Sequence, residues 1–270
     1  MTQLYRIALI QNESEMMRYS WADIRPMLQR LGYPFEGFTA ENIEDLFRGL
    51  ATDRYDAIVV ASNACNDRVV RESLERHKAE IDSFLQRGKG MLVSFQMKMA
   101  DFKSYAFLPE QVRVSAINRI YAGERPQDGD LASGQGQEGH TVLRYPIEVD
   151  LTKVKQRCLT NNLVEGIYWI YLVPERPESY NVLIEDPART PPRALLIASR
   201  ADLRFRIVIS ALALDWQMHE DLWENAVRYV VEGRPSIAVL SKSGSSLFDF
   251  RFLISSLEVR KFPYSEYTME

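Results

Sequence analysis

Cysteine is scarce in this sequence: Cys65 and Cys158 are the only two, far apart and outside any CxxC pair. Neither a disulfide framework nor a cysteine-rich zinc site is indicated. Long apolar runs are also missing. The longest, Ile167 to Val173, has seven residues, far short of the ~20 that a membrane helix needs. The start MTQLYRIALI leads straight into a strand-like run with no signal peptide pattern, which predicts a cytoplasmic protein without membrane contact. There is no excess of positive charge: 33 Lys and Arg stand against 37 Asp and Glu, a net charge of −4, so nucleic acid is not an expected partner. The three histidines, His77, His140 and His219, occur without HxH, HExxH or a carboxylate cluster at ligand spacing. No metal and no cofactor is therefore expected. What remains is 46% hydrophobic and 26% charged over 270 residues, a balance that excludes disorder, collagen and a coiled coil. The length allows one large α/β domain, or one domain and part of another.

Strand-like runs alternate with helical patterns through the first hundred residues. Arg6 to Gln11 (RIALIQ), Pro34 to Phe38, Asp56 to Ser62 (DAIVVAS) and Gly90 to Phe95 (GMLVSF) read as strands, the first, third and fourth buried on both faces. Between them, Trp21, Ile24, Leu28 and Leu31 recur at helical spacing, with Gly32 as a stop and Pro26 arguing for a kink or a late start. Ala40 to Leu50 reads as a short helix, and Arg68 to Arg87 as one long helix with Val70, Leu74, His77, Ile81, Phe84 and Leu85 on one face. This alternation predicts a doubly wound α/β fold, a three-layer sandwich around a mostly parallel central sheet. Gly123 to His140 reads as a long exposed loop. Thr141 to Tyr145, Gly166 to Val173, Asn181 to Glu185, Ala194 to Ser199 and Arg206 to Leu212 are strand-like and joined by short links, which suggests antiparallel additions to the sheet. A helix over 219–232 ends at Gly233 and closes the first domain, 1–233. In 234–270 the pattern restarts with a strand at Ser236 to Leu240 and a helix at Leu247 to Val259. That segment is either the first unit of a further α/β module in a longer protein or an extra strand and helix on the same sheet.

In doubly wound sheets ligands bind beyond the carboxyl ends of the strands. The loops there contain Gln11, Asn12, Asn63, Cys65, Phe95, Gln96, Asp215, Trp216 and His219, and together they define the expected ligand-binding crevice. The spacing Gly134, Gly136, Gly139 matches GxGxxG, but it neither follows a strand nor opens a helix, so a dinucleotide turn is rejected. SKSGSS at 241–246 has its lysine before the glycine and is no phosphate loop. Cys65, just before a helix start, is a weak nucleophile candidate against the reading of a small half-buried turn residue. Ser94 is weaker still, since it points into the sheet. The aromatic run IYWIYLV reads as a buried strand rather than a base-stacking platform.

The segments RIALIQ, YDAIVVAS, GKGMLVSF and FRIVISALALDWQMHEDLWENAVRYVVEG, in that order, resemble the class I glutamine amidotransferase-like superfamily, in its trehalose-utilisation-like branch, over roughly residues 5 to 233. The resemblance implies a flavodoxin-like fold and a nucleophile elbow after the strand GMLVSF. There the family's catalytic members carry a cysteine, activated by a histidine that follows a late strand. This chain has Phe95 and Gln96 at that elbow. His219 and Glu220 follow a late strand without the family's spacing. The resemblance thus implies a fold without amidotransfer, acting as a small-molecule-binding or protein-interaction module of a larger protein. Two alternatives stay open: a small-molecule hydrolase or amidotransferase-like enzyme using Cys65, or Asp215, His219 and Glu220; and a scaffold or oligomerisation domain. The partner is expected to be a small polar ligand, a protein, or a second copy of the chain.

Overall fold

The computed structural model describes residues 5–18, 23–96, 102–116, 129–160, 170–215, 219–233, 237–242 and 264–269. Inter-residue contacts divide the chain into two units, Met1–Val231 and Glu232–Glu270. The first is mixed α/β, built on one sheet of both parallel and antiparallel strands.

Its parallel part comprises β1 (Ile7–Ile10), β2 (Phe35–Phe38), β3 (Ala57–Val60), β4 (Gly90–Val93) and β11 (Arg206–Ser210), side by side in the order β2-β1-β3-β4-β11. All pairs among them are parallel, and their ends are flush: Phe38 pairs with Ile10, Ile10 with Val60, Val60 with Val93, and Val93 with Ile209. Every residue of β1, β3 and β4 is buried, as continuous apolar runs in a covered parallel sheet require. The helices that follow the first strands are α1 (Glu13–Arg18), α2 (Arg25–Leu31), α3 (Ile43–Ala51), α4 (Arg68–Arg76) and α5 (Lys78–Gln86). Pro26 sits in the first turn of α2, where its missing N–H costs nothing, and Gly32 ends that helix at φ +76°. Asp67 caps α4 by accepting from the N–H groups of Val69 and Val70.

Beyond β11 the sheet turns antiparallel, through β10 (Arg193–Ser199), β8 (Ile170–Pro174), β6 (Val112–Ala116) and β5 (Ser104–Tyr105). β9 (Tyr180–Asp186) forms a hairpin with β10, and β7 (Ala132–Ser133) pairs with β9. α6 (Thr141–Arg144), α7 (Leu151–Thr160) and α8 (Glu220–Glu232) complete the described helices of this unit. At the amino ends of the parallel strands, Arg206 donates to the carbonyls of Gly88, Val230 and Val231, placing a cation at the carboxyl end of α8. In the second unit, β12 (Ile237–Lys242) and β13 (Tyr264–Met269) pair in parallel, Ile237 opposite Tyr264.

The structure differs from the sequence expectations at several places. The helix expected over 68–87 is two, broken at His77, whose ring stacks on Phe47 at 3.9 Å and binds both Glu44 and Glu80. Thr141–Tyr145 is the helix α6 rather than a strand, because the His140 side chain caps it at the Val142 N–H. Within the expected loop 123–140, residues 132–133 are paired with β9, and a Cβ on Gly134 would collide with the Val182 carbonyl. The helices α1 and α7 and the strands β5 and β13 have no counterpart in the sequence reading. The helix expected at 247–259 lies outside the described residues. No described helix is long and apolar enough to cross a membrane.

Gly90, the first residue of β4, lies where a Cβ would collide with the carbonyl of Val230. Backbone cannot move aside as a flexible side chain can. Gly90→Ala is expected to lower stability by about 1–3 kcal/mol, read as a shift in the urea midpoint at unchanged slope.

Candidate functional site

Flush parallel strands bring the loops that follow them to one end of the sheet: Gln11–Asn12, 61–67, 94–96 and 211–215. The chain runs from β1 out to β2 and then back across β1 to β3, so the direction of winding reverses between β1 and β3. That is where a crevice opens in such sheets. Here the loops are tied to one another. Asn12 Nδ2 donates to the Asn63 carbonyl at 3.2 Å, and the Asn63 N–H donates to the Phe95 carbonyl at 2.8 Å. Asn63 takes φ +60°, left-handed backbone that asparagine tolerates better than most residues.

Two side chains make the strongest links. Gln96, fully buried, donates through Nε2 to the carbonyls of Ala61 (2.7 Å) and Ser94 (3.0 Å), while its Oε1 accepts from the Cys65 N–H at 2.8 Å. Asp215, also buried, accepts from the Ser62 N–H at 2.7 Å and from the Ser62 hydroxyl. Burial raises the Asp215 carboxyl above its ordinary range even against those two bonds. These groups satisfy backbone that has left the sheet ladder, a requirement for any buried loop.

Cys65 is buried rather than half-exposed, at the start of a 3-10 turn (Ala64–Asn66), and its carbonyl accepts from Arg71 at 3.1 Å. Burial pushes its thiol up to about 12, the opposite of the activation that the weaker, nucleophile reading of Cys65 required. A neutral, enclosed thiol is a poor nucleophile. Phe95 is buried, and so is Ser94, whose hydroxyl has no hydrogen-bond partner among the described residues. Glu220 opens α8 as an exposed group 3.4 Å from Arg30. Trp216 lies outside the described residues, as do Met97 and Met99 after the elbow.

His219 is brought not to Cys65 but to Cys158. Its Nε2 lies 3.3 Å from the Cys158 Sγ, and both side chains are buried. Burial lowers the imidazole to about 4, with the nearby Arg157 adding to the effect, and burial raises the Cys158 thiol to about 12. The resting pair is therefore a neutral thiol in hydrogen-bond contact with a neutral imidazole. One helical turn further, Trp223 Nε1 is buried without a hydrogen-bond partner among the described residues, as is His219 Nδ1. Sequence reasoning missed this pair because α7, which carries Cys158, has only a weak apolar stripe and was not recognised as a helix. Among the described residues no group of three or more His, Cys, Asp and Glu side chains is placed to hold a metal.

No family model matches this chain, and no curated protein matches it either.

Two outcomes follow. Gln96→Leu would strand the Ser94 carbonyl and the Cys65 N–H and take from the Ala61 carbonyl one of its two donors, the other being the Ala64 N–H; each stranded group costs about 1–3 kcal/mol when buried unpaired, so a loss of at least about 2 kcal/mol is expected in urea unfolding. For pH, the unfolded imidazole near 6.5 binds a proton that the folded His219, near 4, refuses. Stability is complete above pH 6.5 and falls as pH drops toward 4, by up to about 3 kcal/mol. Asp215 has the opposite sign, since its raised carboxyl holds a proton that the unfolded chain releases. His219→Phe is therefore expected to flatten the acid limb of the urea midpoint against pH, relative to the parent chain.

Proposed function

We propose that residues 1–233 form a glutamine amidotransferase-like domain without catalytic activity, serving as a small-molecule-binding or protein-interaction module. The order β2-β1-β3-β4-β11, with loops converging beyond one set of strand ends, supports a doubly wound, flavodoxin-like reading of the parallel half. One observation carries the functional reading. Where catalytic relatives present a nucleophile, Gln96 presents a carboxamide whose bonds are all made to backbone within the elbow and its neighbouring strand end. An amide cannot ionise, and this one holds the loops in register instead of facing a substrate.

The Cys158–His219 contact favours a second reading, a thiol-dependent hydrolase of small molecules. The chemistry is conceivable: imidazole accepts the thiol proton as sulfur attacks a carbonyl carbon, then returns it to the leaving group. Against it stands the enclosure of both groups, which favours the neutral pair by shifting the two titrations apart.

Both readings are separated by native-state labelling at pH 7 and an ammonia-release assay with glutamine. The first predicts no ammonia above the uncatalysed rate, and alkylation of Cys65 and Cys158 by iodoacetamide only after unfolding. Rapid native alkylation of Cys158 that His219→Asn abolishes would establish the second reading and overturn the first.

A further inference from the structure

The break between α4 and α5 turns on one residue. His77 ends the first helix and opens the second at φ −97°, ψ 28°. Its backbone still bridges the two, since its N–H donates to the Ser73 carbonyl and its carbonyl accepts from the Ile81 N–H. The ring is 22% exposed and lies nearly flat on Phe47 of α3, with 3.9 Å between centroids and 17° between planes. Both ring nitrogens face carboxylates: Nδ1 is 2.9 Å from Glu80 Oε1, and Nε2 is 3.0 Å from Glu44 Oε2.

An ionised carboxylate only accepts hydrogen bonds, so each nitrogen must carry a proton to bond the group it faces. A neutral imidazole has one such proton. The arrangement therefore requires the imidazolium, which the face of Phe47 also favours. Burial opposes charge on the ring, and the hydrogen bonds and charges of Glu80 and Glu44 outweigh it, so His77 titrates above its ordinary value. Neighbouring charges have contacts of their own. On α4, Arg76 reaches Glu44 Oε1 at 3.1 Å, and the Ser73 hydroxyl donates to the same oxygen at 2.8 Å. On α5, the Lys78 amine donates to Asp82 and to the Leu108 carbonyl, while on α3 Asp45 pairs with Arg48. Glu44 thus keeps two links to α4 whatever the state of the ring; the link that depends on ring charge is the span across three helices, Glu44–His77–Glu80.

We propose that His77 is a pH-sensitive latch: as the imidazolium it clasps Glu44 of α3 and Glu80 of α5 at once, and when it gives up one proton, one carboxylate faces a bare lone pair and the α4–α5 junction loosens. The folded ring holds its proton more tightly than the unfolded chain does. The latch therefore contributes fully below pH 6.5 and is lost as pH rises through the raised folded value. On the same helix α4, Arg71 holds the Cys65 carbonyl in the loop after β3, so one short helix joins the latch to the strand-end loops. The latch operates whether or not those loops take a ligand.

NMR of the imidazole rings and deuterium exchange of the backbone amides test this on the whole chain, between about pH 5.5 and about pH 8.5. The His77 ring, assigned by its loss in His77→Phe, is expected to titrate above free histidine, and lower in Glu44→Gln and in Glu80→Gln than in the parent chain. After correction for intrinsic exchange, the amides of residues 77–81 are expected to lose at least about threefold in protection as the ring deprotonates, the scale that two partly exposed ion pairs allow. His77→Phe keeps an aromatic ring against Phe47 and cannot titrate, so protection there is expected not to follow pH. The proposal is overturned if the ring titrates at or below free histidine, if protection over 77–81 is unchanged across the range, or if it falls equally in His77→Phe.

Discussion

The first unit depends on the Gln96 carboxamide and the three backbone groups it holds. Five parallel strands ending at one level leave carbonyls and N–H groups with no ladder to join. Gln96 answers three of these at once, across β3 and β4. Asp215 answers for Ser62 from the loop after β11, and Asn12 for Asn63 from the loop after β1. Every loop of the parallel core except that of β2 is joined by a side chain to a neighbour. The same closure that stabilises this end of the sheet withdraws its polar atoms from chemistry, so stability and inertness have one cause.

Charge is handled by the same logic. Asp215, Cys65, Cys158 and His219 are all enclosed, and in each the titration moves toward the neutral form. Desolvation acts alike on acid, thiol and imidazole because it opposes charge of either sign. At the surface the direction reverses: burial works against His77, but Glu80 and Glu44 beside it raise its titration. A thiol and an imidazole in contact are thus not sufficient for an ion pair; exposure to an organising charge or to solvent is needed as well.

Much of the parallel core was legible in the sequence because its strands are short, apolar on both faces and punctuated by glycine and proline: RIALIQ, DAIVVAS and GMLVSF each contain the observed strand. The crevice loops followed from those strand ends by topology. What was not legible depended on contacts distant in sequence. His77 interrupts an otherwise continuous helical stripe because Phe47 and Glu44, on α3, offer it a stacking face and an acceptor. Thr141–Arg144 contains the β-branched pair Thr141–Val142 and still forms a helix, since His140 caps it. Cys158 was weighed only for disulfide and zinc spacing, and no local pattern could place it beside a histidine 61 residues away.

The register of β4 against β11 has a consequence for biosynthesis. Gly90 lies opposite Arg206, so β4 acquires its second neighbour only after more than a hundred further residues have left the ribosome. Until then the nascent chain holds β2, β1, β3 and β4 with one fully apolar strand edge unprotected. Such an edge invites pairing with the wrong chain. The long antiparallel insertion therefore leaves this half-sheet exposed to mispairing for longest while the chain is being made.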